Sequence, residues 1–177
     1  MSEKEKMISG VLYNPNSEEL LNDRIRTKNL CREYNNTLQP ALIKELFGKT
    51  EERFQIEPSF FCDYGYNIEI GENFYSNHNL VILDCAKVIF GENVFIGPNC
   101  GFYTAEHPIQ AEERNKGLEF AHPITVGNNV WIGGGVTVIS GVTIGDNVVI
   151  GAGSVVVKDI PSNVVAVGNP CRVIKNL

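Results

Sequence analysis

The chain has 177 residues, 43% of them hydrophobic and 20% charged, with a net charge of -6 and a pI near 5.1. That length is enough for one domain with a real core, and the acidic balance argues against a broad nucleic-acid or anionic-membrane surface, so any basic site must be local. The five cysteines (Cys31, Cys62, Cys85, Cys100 and Cys171) are scattered, without a Cys-x-x-Cys pair, and indicate neither a disulfide framework nor a zinc finger.

The opening, Met1 to Lys6, is charged, and no apolar stretch of signal-peptide type follows it. No hydrophobic run approaches the ~20 residues a membrane span needs. A soluble cytoplasmic protein is the expectation. Residues 1–57 read as a helical cap. Asn16 is a suitable N-cap, and Glu19, three places on, could complete a capping box. Leu20, Leu21, Ile25, Leu30, Cys31 and Tyr34 then supply an apolar stripe, with the helix ending near Asn35-Asn36. A second short helix follows Pro40, with Leu42, Ile43, Leu46 and Phe47 apolar and Gly48 as its stop.

Residues 58–66 look like a first, irregular strand, and residues 58–161 are expected to form one solenoid. Ile70 opens a first row of six, Ser76 to Leu80 is a poor row, and Ile82 opens a third. Val88 and Ile89 read as two extra residues that shift the register. The rhythm resumes at Phe90, Ile96 and Phe102, then breaks after His107. Residues 108–123 have no inward rhythm and are expected to be an external loop, the kind of segment that carries function on a rigid scaffold.

From Val126 to Pro161 the chain reads as six rows of six, opened by Val126, Ile132, Val138, Ile144, Ile150 and Val156. The fifth place is Val, Ser or Ile throughout. Gly stands second in four rows, and the exceptions, Ile139 and Val157, lie eighteen residues apart. A period of six under a period of eighteen is the signature of a hexapeptide solenoid in which three rows make one turn of a triangular prism. Each opening aliphatic should stack on its equivalent one turn along, about 4.8 Å away. Gly or Asn at the corners suits positive φ. No turn can bury its own face, so neighbours must stabilise one another and the open end needs the helical cover. The last residues, 162–177, should leave the solenoid as a tail packing back along it.

Several segments together resemble the maltose and galactoside O-acetyltransferases: Glu5 to Tyr13, Cys62-Asp63-Tyr64-Gly65-Tyr66-Asn67, Thr104-Ala-Glu-His107-Pro108, Ile124 to Gly133 with its Trp131-Ile-Gly, and Gly168-Asn-Pro-Cys-Arg172. The likeness spans nearly the whole chain. It implies an all-β solenoid of the left-handed parallel β-helix type with an N-terminal helical cap, a homotrimer with sites between subunits, and acetyl transfer from acetyl-CoA to a sugar hydroxyl. It further implies no metal, no nucleic acid and no membrane as partner.

The same resemblance assigns roles. His107 falls on the family's catalytic histidine; its imidazole can accept a proton near neutral pH and act as general base. Asp63, Asn77 and Asp84 match acceptor-holding positions, and Asn77 also helps position the reacting groups beside CoA. A corner residue that bonds its own backbone is the other reading for both aspartates; it suits Asp84 equally well, whereas Asp63 and Asn77 read as acceptor contacts. Lys158 and Arg172 match the cations that meet CoA phosphates. Gly134, Ala152 and Val157 match wall positions along the pantetheine arm, and Trp131 either flanks that arm or packs between subunits. Two departures bear on the acceptor. Asn14-Pro15-Asn16 occupies the region where the family carries an acidic residue, and Cys85 stands where galactoside relatives have Asp.

Two other readings fit a hexapeptide prism. A γ-carbonic-anhydrase-like metal enzyme would use His78, His107 and His122, but these are spaced by 29 and 15 residues rather than in a close pair. A non-catalytic β-helix scaffold would leave His107, Lys158 and Arg172 without a joint use.

Overall fold

The computed structural model describes residues 1–177. Short parallel strands stack into three walls of a prism. The first wall holds Ile68–Ile70, Val88–Phe90, Ile124–Val126 and Thr143–Ile144. The second begins at Phe54–Ile56 and climbs through Phe74–Ser76, Val94–Ile96, Val130–Ile132 and Val148–Ile150 to Val164–Val167. The third runs from Phe60–Cys62 through Leu80–Leu83, Gly101–Tyr103 and Thr137–Ile139 to Val155–Val156. This is the β-solenoid that the rows imply. Val126, Ile132, Val138, Ile144, Ile150 and Val156 are all at most 1% exposed. Burying each such side chain contributes about 1.5–3 kcal/mol relative to leaving it in water. Phe74, Phe90 and Phe102, one from each wall, meet inside the prism, with ring centroids 5.2 Å (Phe74–Phe90) and 5.0 Å (Phe90–Phe102) apart.

The corner between the first and second walls is built from asparagines. Asn73, Asn93, Asn129, Asn147 and Asn163 all have φ between 54 and 62°. Asn tolerates this left-handed region better than other side chains with a Cβ. Their amides also bond from turn to turn, Asn73 to Asn93 at 2.8 Å and Asn93 to Asn129 at 3.1 Å. The same residue type thus satisfies the bend and ties adjacent turns.

The register differs from the expectation in an informative way. Val88 and Ile89 are not extra residues; they form first-wall strand in register with Ile68 and Glu69 below and Ile124 and Thr125 above. The additional residues sit instead at the corner between the third and first walls. That corner takes the chain from Cys62 to Ile68, from Ile82 to Val88, and from Phe102 to Ile124, whereas higher up Val138 reaches Val142 directly. One edge of the prism therefore bulges in its first two turns and throws out the long loop in the third. The loop is partly ordered. Ala105–Glu106 and Phe120–Ala121 pair antiparallel, with a short helical turn, Ala111–Arg114, at its far end.

The solenoid also exceeds the expected 58–161 at both ends. Phe54 pairs with Phe74, so the second wall begins before residue 58. At the other end Ile160 pairs with Ile144, and Val164 with Val148. The row after Val156 is two residues short, and the wall continues to Val167. The tail Arg172–Asn176 then folds back antiparallel on Val164–Val167.

Three helices precede the prism: α1 (Glu3–Ile8), α2 (Glu18–Thr37) and α3 (Pro40–Leu46). The N-cap of α2 is Ser17, not Asn16, and the Ser17 hydroxyl makes no capping bond. Asn14 turns the chain locally, its Oδ1 accepting from the Asn16 amide at 3.0 Å. The buried stripe of α2 is Leu20, Thr27, Cys31 and Tyr34, while Leu21 and Ile25 are exposed. Cys31, Tyr34, Ile43, Leu46 and Phe47 join the prism core and plug its lower end. A second apolar cluster of Met7, Tyr13, Leu20, Tyr64, Cys85, Ala86 and Ala121 pins the N-terminal segment onto the bulged corner. No helix is long and apolar enough to cross a membrane.

Candidate active site

A polar cleft of about 360 Å³ opens where the N-terminal segment meets the bulged corner. Asp63, Tyr64 and Cys85 enter it from the first two turns, and His107, Gly117 and Glu119 from the loop. Pro15, Asn16 and Arg24 close it from the helical cap. Each contribution follows from the fold: the corner has residues to spare only on this edge, and the cap is held against that edge by the second apolar cluster.

His107 extends from the hairpin and is half exposed on its side chain. Its Nδ1 lies 3.0 Å from the Leu118 carbonyl oxygen. A carbonyl only accepts, so Nδ1 carries the hydrogen and the neutral ring presents a lone pair at Nε2. Nε2 is 3.8 Å from Glu119 Oε1. The other Glu119 oxygen accepts from the Tyr13 hydroxyl at 2.7 Å. Tyr13 and Glu119 also exchange two backbone bonds of 2.9 and 3.1 Å. The loop that carries His107 is therefore fastened to the N-terminal segment through Tyr13.

Asp63 is largely enclosed, its Oδ2 3.7 Å from the Cys85 thiol. Burial pushes its carboxyl above the usual range, and the nearby Arg24 guanidinium opposes that. Arg24 donates to the Tyr64 hydroxyl and to the Pro15 carbonyl, both at 2.6 Å, which fixes the cleft wall. Burial also pushes the Cys85 thiol far up.

Asp84 does not reach the cleft. It is 0% exposed, and its Oδ1 accepts from the backbone amides of Asp63 at 3.0 Å and Tyr64 at 2.9 Å. It shapes the turn below it, which is the corner role open to it from its position, and the acceptor-contact expectation for Asp84 is corrected. Its Oδ2 is buried without a partner, and burial pushes its carboxyl up to about 8.

The remaining expected residues fall on two edges of the prism. Val157 and Lys158 stand on the same edge as His107, two turns further along, with Lys158 exposed. Asn77, Gly134 and Ala152 stand on the opposite corner, between the second and third walls. There Asn77 donates its amide to the Ile96 carbonyl at 2.9 Å and its Oδ1 accepts from the His78 amide at 2.7 Å. Trp131 projects from the second wall, 59% exposed, beside Phe95 in the strand below. Arg172 follows that wall's last strand and is exposed. Within one chain, then, Asp63 and His107 come together, while Asn77, Trp131, Gly134, Ala152 and Arg172 are spread over several turns of the second wall, its corner and the tail.

The three histidines do not converge. His78 Nδ1 contacts the Pro58 carbonyl, and His122 Nδ1 lies 2.9 Å from Glu106 Oε1. No group of three His, Cys, Asp or Glu side chains is arranged to hold a metal ion.

Sequence reasoning missed Tyr13, Arg24 and Glu119. Tyr13 and Glu119 are 106 residues apart and belong to no shared motif. The two departures noted in sequence, Asn14-Pro15-Asn16 and Cys85, both supply residues to the cleft.

The maltose acetyltransferase hexapeptide capping motif matches residues 6–51, and the six-repeat bacterial transferase hexapeptide model matches residues 123–158. A maltose O-acetyltransferase structure from Clostridium difficile 630 superposes with a TM-score of 0.98 at 53% identity, covering 100% of this chain and 98% of that one. The galactoside O-acetyltransferase of Escherichia coli is 46% identical over 98% of this chain and 88% of its own. A galactoside acetyltransferase solved in complex with coenzyme A gives a TM-score of 0.95 at 47% identity, covering 99% of this chain and 91% of that one.

Proposed function

Because the chain belongs to the maltose and galactoside O-acetyltransferase family and is an acetyl-CoA-dependent acetyltransferase, we propose that its acceptor is a small sugar of maltose or glucose type and that His107 is the general base. The observation that carries this reading is the fixed tautomer of His107, whose Nε2 lone pair faces a cleft lined by hydrogen-bonding side chains. In the proposed reaction a sugar hydroxyl gives its proton to Nε2 as its oxygen attacks the thioester carbonyl of acetyl-CoA. A C–O bond forms, the tetrahedral intermediate collapses, the C–S bond breaks, and the imidazolium returns the proton to the coenzyme A sulfur. The transfer is direct. Cys85, the cysteine that lines the cleft with His107, is buried and its ionisation is strongly disfavoured, so it is unsuited to carry the acetyl group.

Asp63 would hold a further acceptor hydroxyl. Lys158 and Arg172 would meet CoA phosphates, with Gly134, Ala152 and Val157 leaving a groove for the pantetheine arm and Trp131 flanking it. Since Asn77 and His107 stand on different edges, the complete site would form between neighbouring subunits of a homotrimer. Asn77 would then face the reacting groups across the interface. The five free, buried thiols suit a reducing compartment such as the cytoplasm.

The test is thiol release from acetyl-CoA across a panel of glucosides, galactosides and maltose, with the product identified by mass. Turnover on a glucoside or maltose supports the reading. Saturable coenzyme A binding without turnover on any sugar would move the acceptor to another class of alcohol.

A further inference from the structure

Helix α2 lies along the strand Phe60–Cys62 like a ladder of three rungs. Thr27 Oγ1 donates to the Tyr64 carbonyl at 2.9 Å. Asn35 Nδ2 donates to the Phe60 carbonyl at 2.9 Å, and Asn35 Oδ1 accepts from the Phe60 amide at 2.8 Å. Between these two rungs stand Cys31 and Cys62, their sulfurs 3.9 Å apart. The match is geometric. Four residues of helix rise about 6 Å and two residues of strand about 6.6 Å, so positions 27, 31 and 35 meet positions 64, 62 and 60 in step. The outer rungs are hydrogen bonds. The middle rung is a pair of thiols, which can be closed covalently.

All five cysteines are free, and no other two sulfurs are in contact. Cys31 is 1% exposed and Cys62 8%. A groove of about 450 Å³ opens on the same seam, lined by Lys28, Arg32, Asn35 and Asn36 from the helix and by Ser59 and Phe61 beside Cys62. It brings a small solute to the rung, and its two cations favour a thiolate nearby. Burial pushes the Cys62 thiol well up, whereas the hydrogen bond with Cys62 holds the Cys31 thiol below its ordinary value. Cys31 is therefore the sulfur that attacks first, and Cys62 the one that resolves.

We propose that Cys31 and Cys62 form a peroxide-responsive modification site, a dithiol whose oxidation staples the helical cap to the first turn of the prism. The chemistry balances with one hydroperoxide. The Cys31 thiolate attacks a peroxide oxygen, an S–O bond forms, the O–O bond breaks, and water or an alcohol leaves with the proton that Cys31 gave up. The Cys62 sulfur then attacks the Cys31 sulfur, the S–S bond forms, the S–O bond breaks, and water leaves with the Cys62 proton. Each thiol loses one electron and the peroxide gains two. Bonded sulfurs lie about 2.05 Å apart, so the pair must close by roughly 2 Å while the flanking rungs hold both backbones. The link joins residues 31 positions apart and so restricts the unfolded chain. In the folded protein it fastens Cys31 and the plug residues Tyr34, Ile43, Leu46 and Phe47 over the lower end of the core.

The test uses the full-length protein, reduced, treated with an equivalent of hydrogen peroxide, alkylated in denaturant and digested with trypsin. Peptides 29–32 and 54–87 should appear joined through Cys31 and Cys62, with Cys85 alkylated, and dithiothreitol should release them. The melting temperature should rise by about 5–15 °C on oxidation and fall back on reduction. Cys31→Ala should show neither the link nor the rise. If that variant folds poorly, the peptide map and the reversible melting shift of the wild type decide the matter alone. Five alkylated thiols after treatment, a lone cysteine taken to sulfinic acid, or a link through Cys85, Cys100 or Cys171 would overturn the site. A Cys31–Cys62 link with an unchanged or lower melting temperature would overturn the staple. Neither readout involves an acceptor, so the outcome is independent of the sugar reading.

Discussion

The substitution Asp84→Asn tests how the bulged corner beneath the cleft is held. Asp84 is fully buried, accepts two backbone amides through Oδ1, and has an Oδ2 without a partner. Burial is the main cause of its raised pKa, about 8, with the nearby Asp63 charge adding to it. In the unfolded chain an aspartate titrates near 3.9. Between those values the folded protein binds a proton that the unfolded chain has lost, so stability is fully present below about pH 3.9 and declines as pH rises towards 8. At 1.36 kcal/mol per pH unit, the part lost between pH 5 and 8 is about 4 kcal/mol. Asparagine keeps the Oδ1 acceptor and cannot ionise. Its Nδ2 donor is orphaned in the same place as the hydroxyl of the neutral acid, so that cost is shared. Urea unfolding midpoints of wild type and Asp84→Asn, measured from pH 5 to 9 at one protein concentration, should therefore diverge. The variant should gain steadily on the wild type and lead it clearly by pH 9. A constant difference across that range would mean that Asp84 is ionised in the folded protein at pH 5, and the account of the corner would fail.

Four other outcomes follow from the same geometry. Lys158→Ala and Arg172→Ala should each raise the KM for acetyl-CoA several-fold to about 10-fold, with a smaller effect at high salt, and leave kcat little changed. Asn129→Ala places a side chain with no local hydrogen bond at a φ of 57°, so it should lower stability by about 1–2 kcal/mol, with Asn129→Gly milder. If the site is shared between subunits, inactive His107→Ala and Asn77→Ala chains refolded together should recover about a quarter of wild-type activity by random assortment. Recovery of none would place both residues in one subunit's site or deny the trimer. Ile43→Ala, at a fully buried plug position, should cost about 2–5 kcal/mol and loosen the lower turns first in hydrogen exchange.

The upper solenoid was legible because its signal is local and repeated. Each row places an aliphatic at the inward position, and the structure buries every one of them. The lower turns were harder to read, since residues added at a single corner shift the phase without altering the strands. That is why Val88 and Ile89 resembled an insertion when the surplus lay earlier, at Asp84 and Cys85. The start of α2 was misread because Asn16 has the right chemistry for a cap, but Asn14 already turns the chain there and Ser17 takes the cap position. His107 and Asp63 could be found from motif and resemblance. Glu119 and Tyr13 could not, because what unites them is a backbone pairing between the first and third quarters of the chain, and no periodicity records it. The split of Asn77, Gly134 and Ala152 from the edge that carries His107, Val157 and Lys158 was equally invisible, for a linear motif does not say which edge of a prism it will occupy.

The central claim is that His107 Nε2 removes the acceptor's proton. The most direct measurement is the single-turnover rate of acetyl transfer to a sugar accepted by the wild-type enzyme, for wild type and His107→Ala, with acetyl-CoA affinity measured on both. The account predicts a rate lower by about 10²-fold or more with affinity nearly unchanged. Equal rates in the two proteins would contradict it.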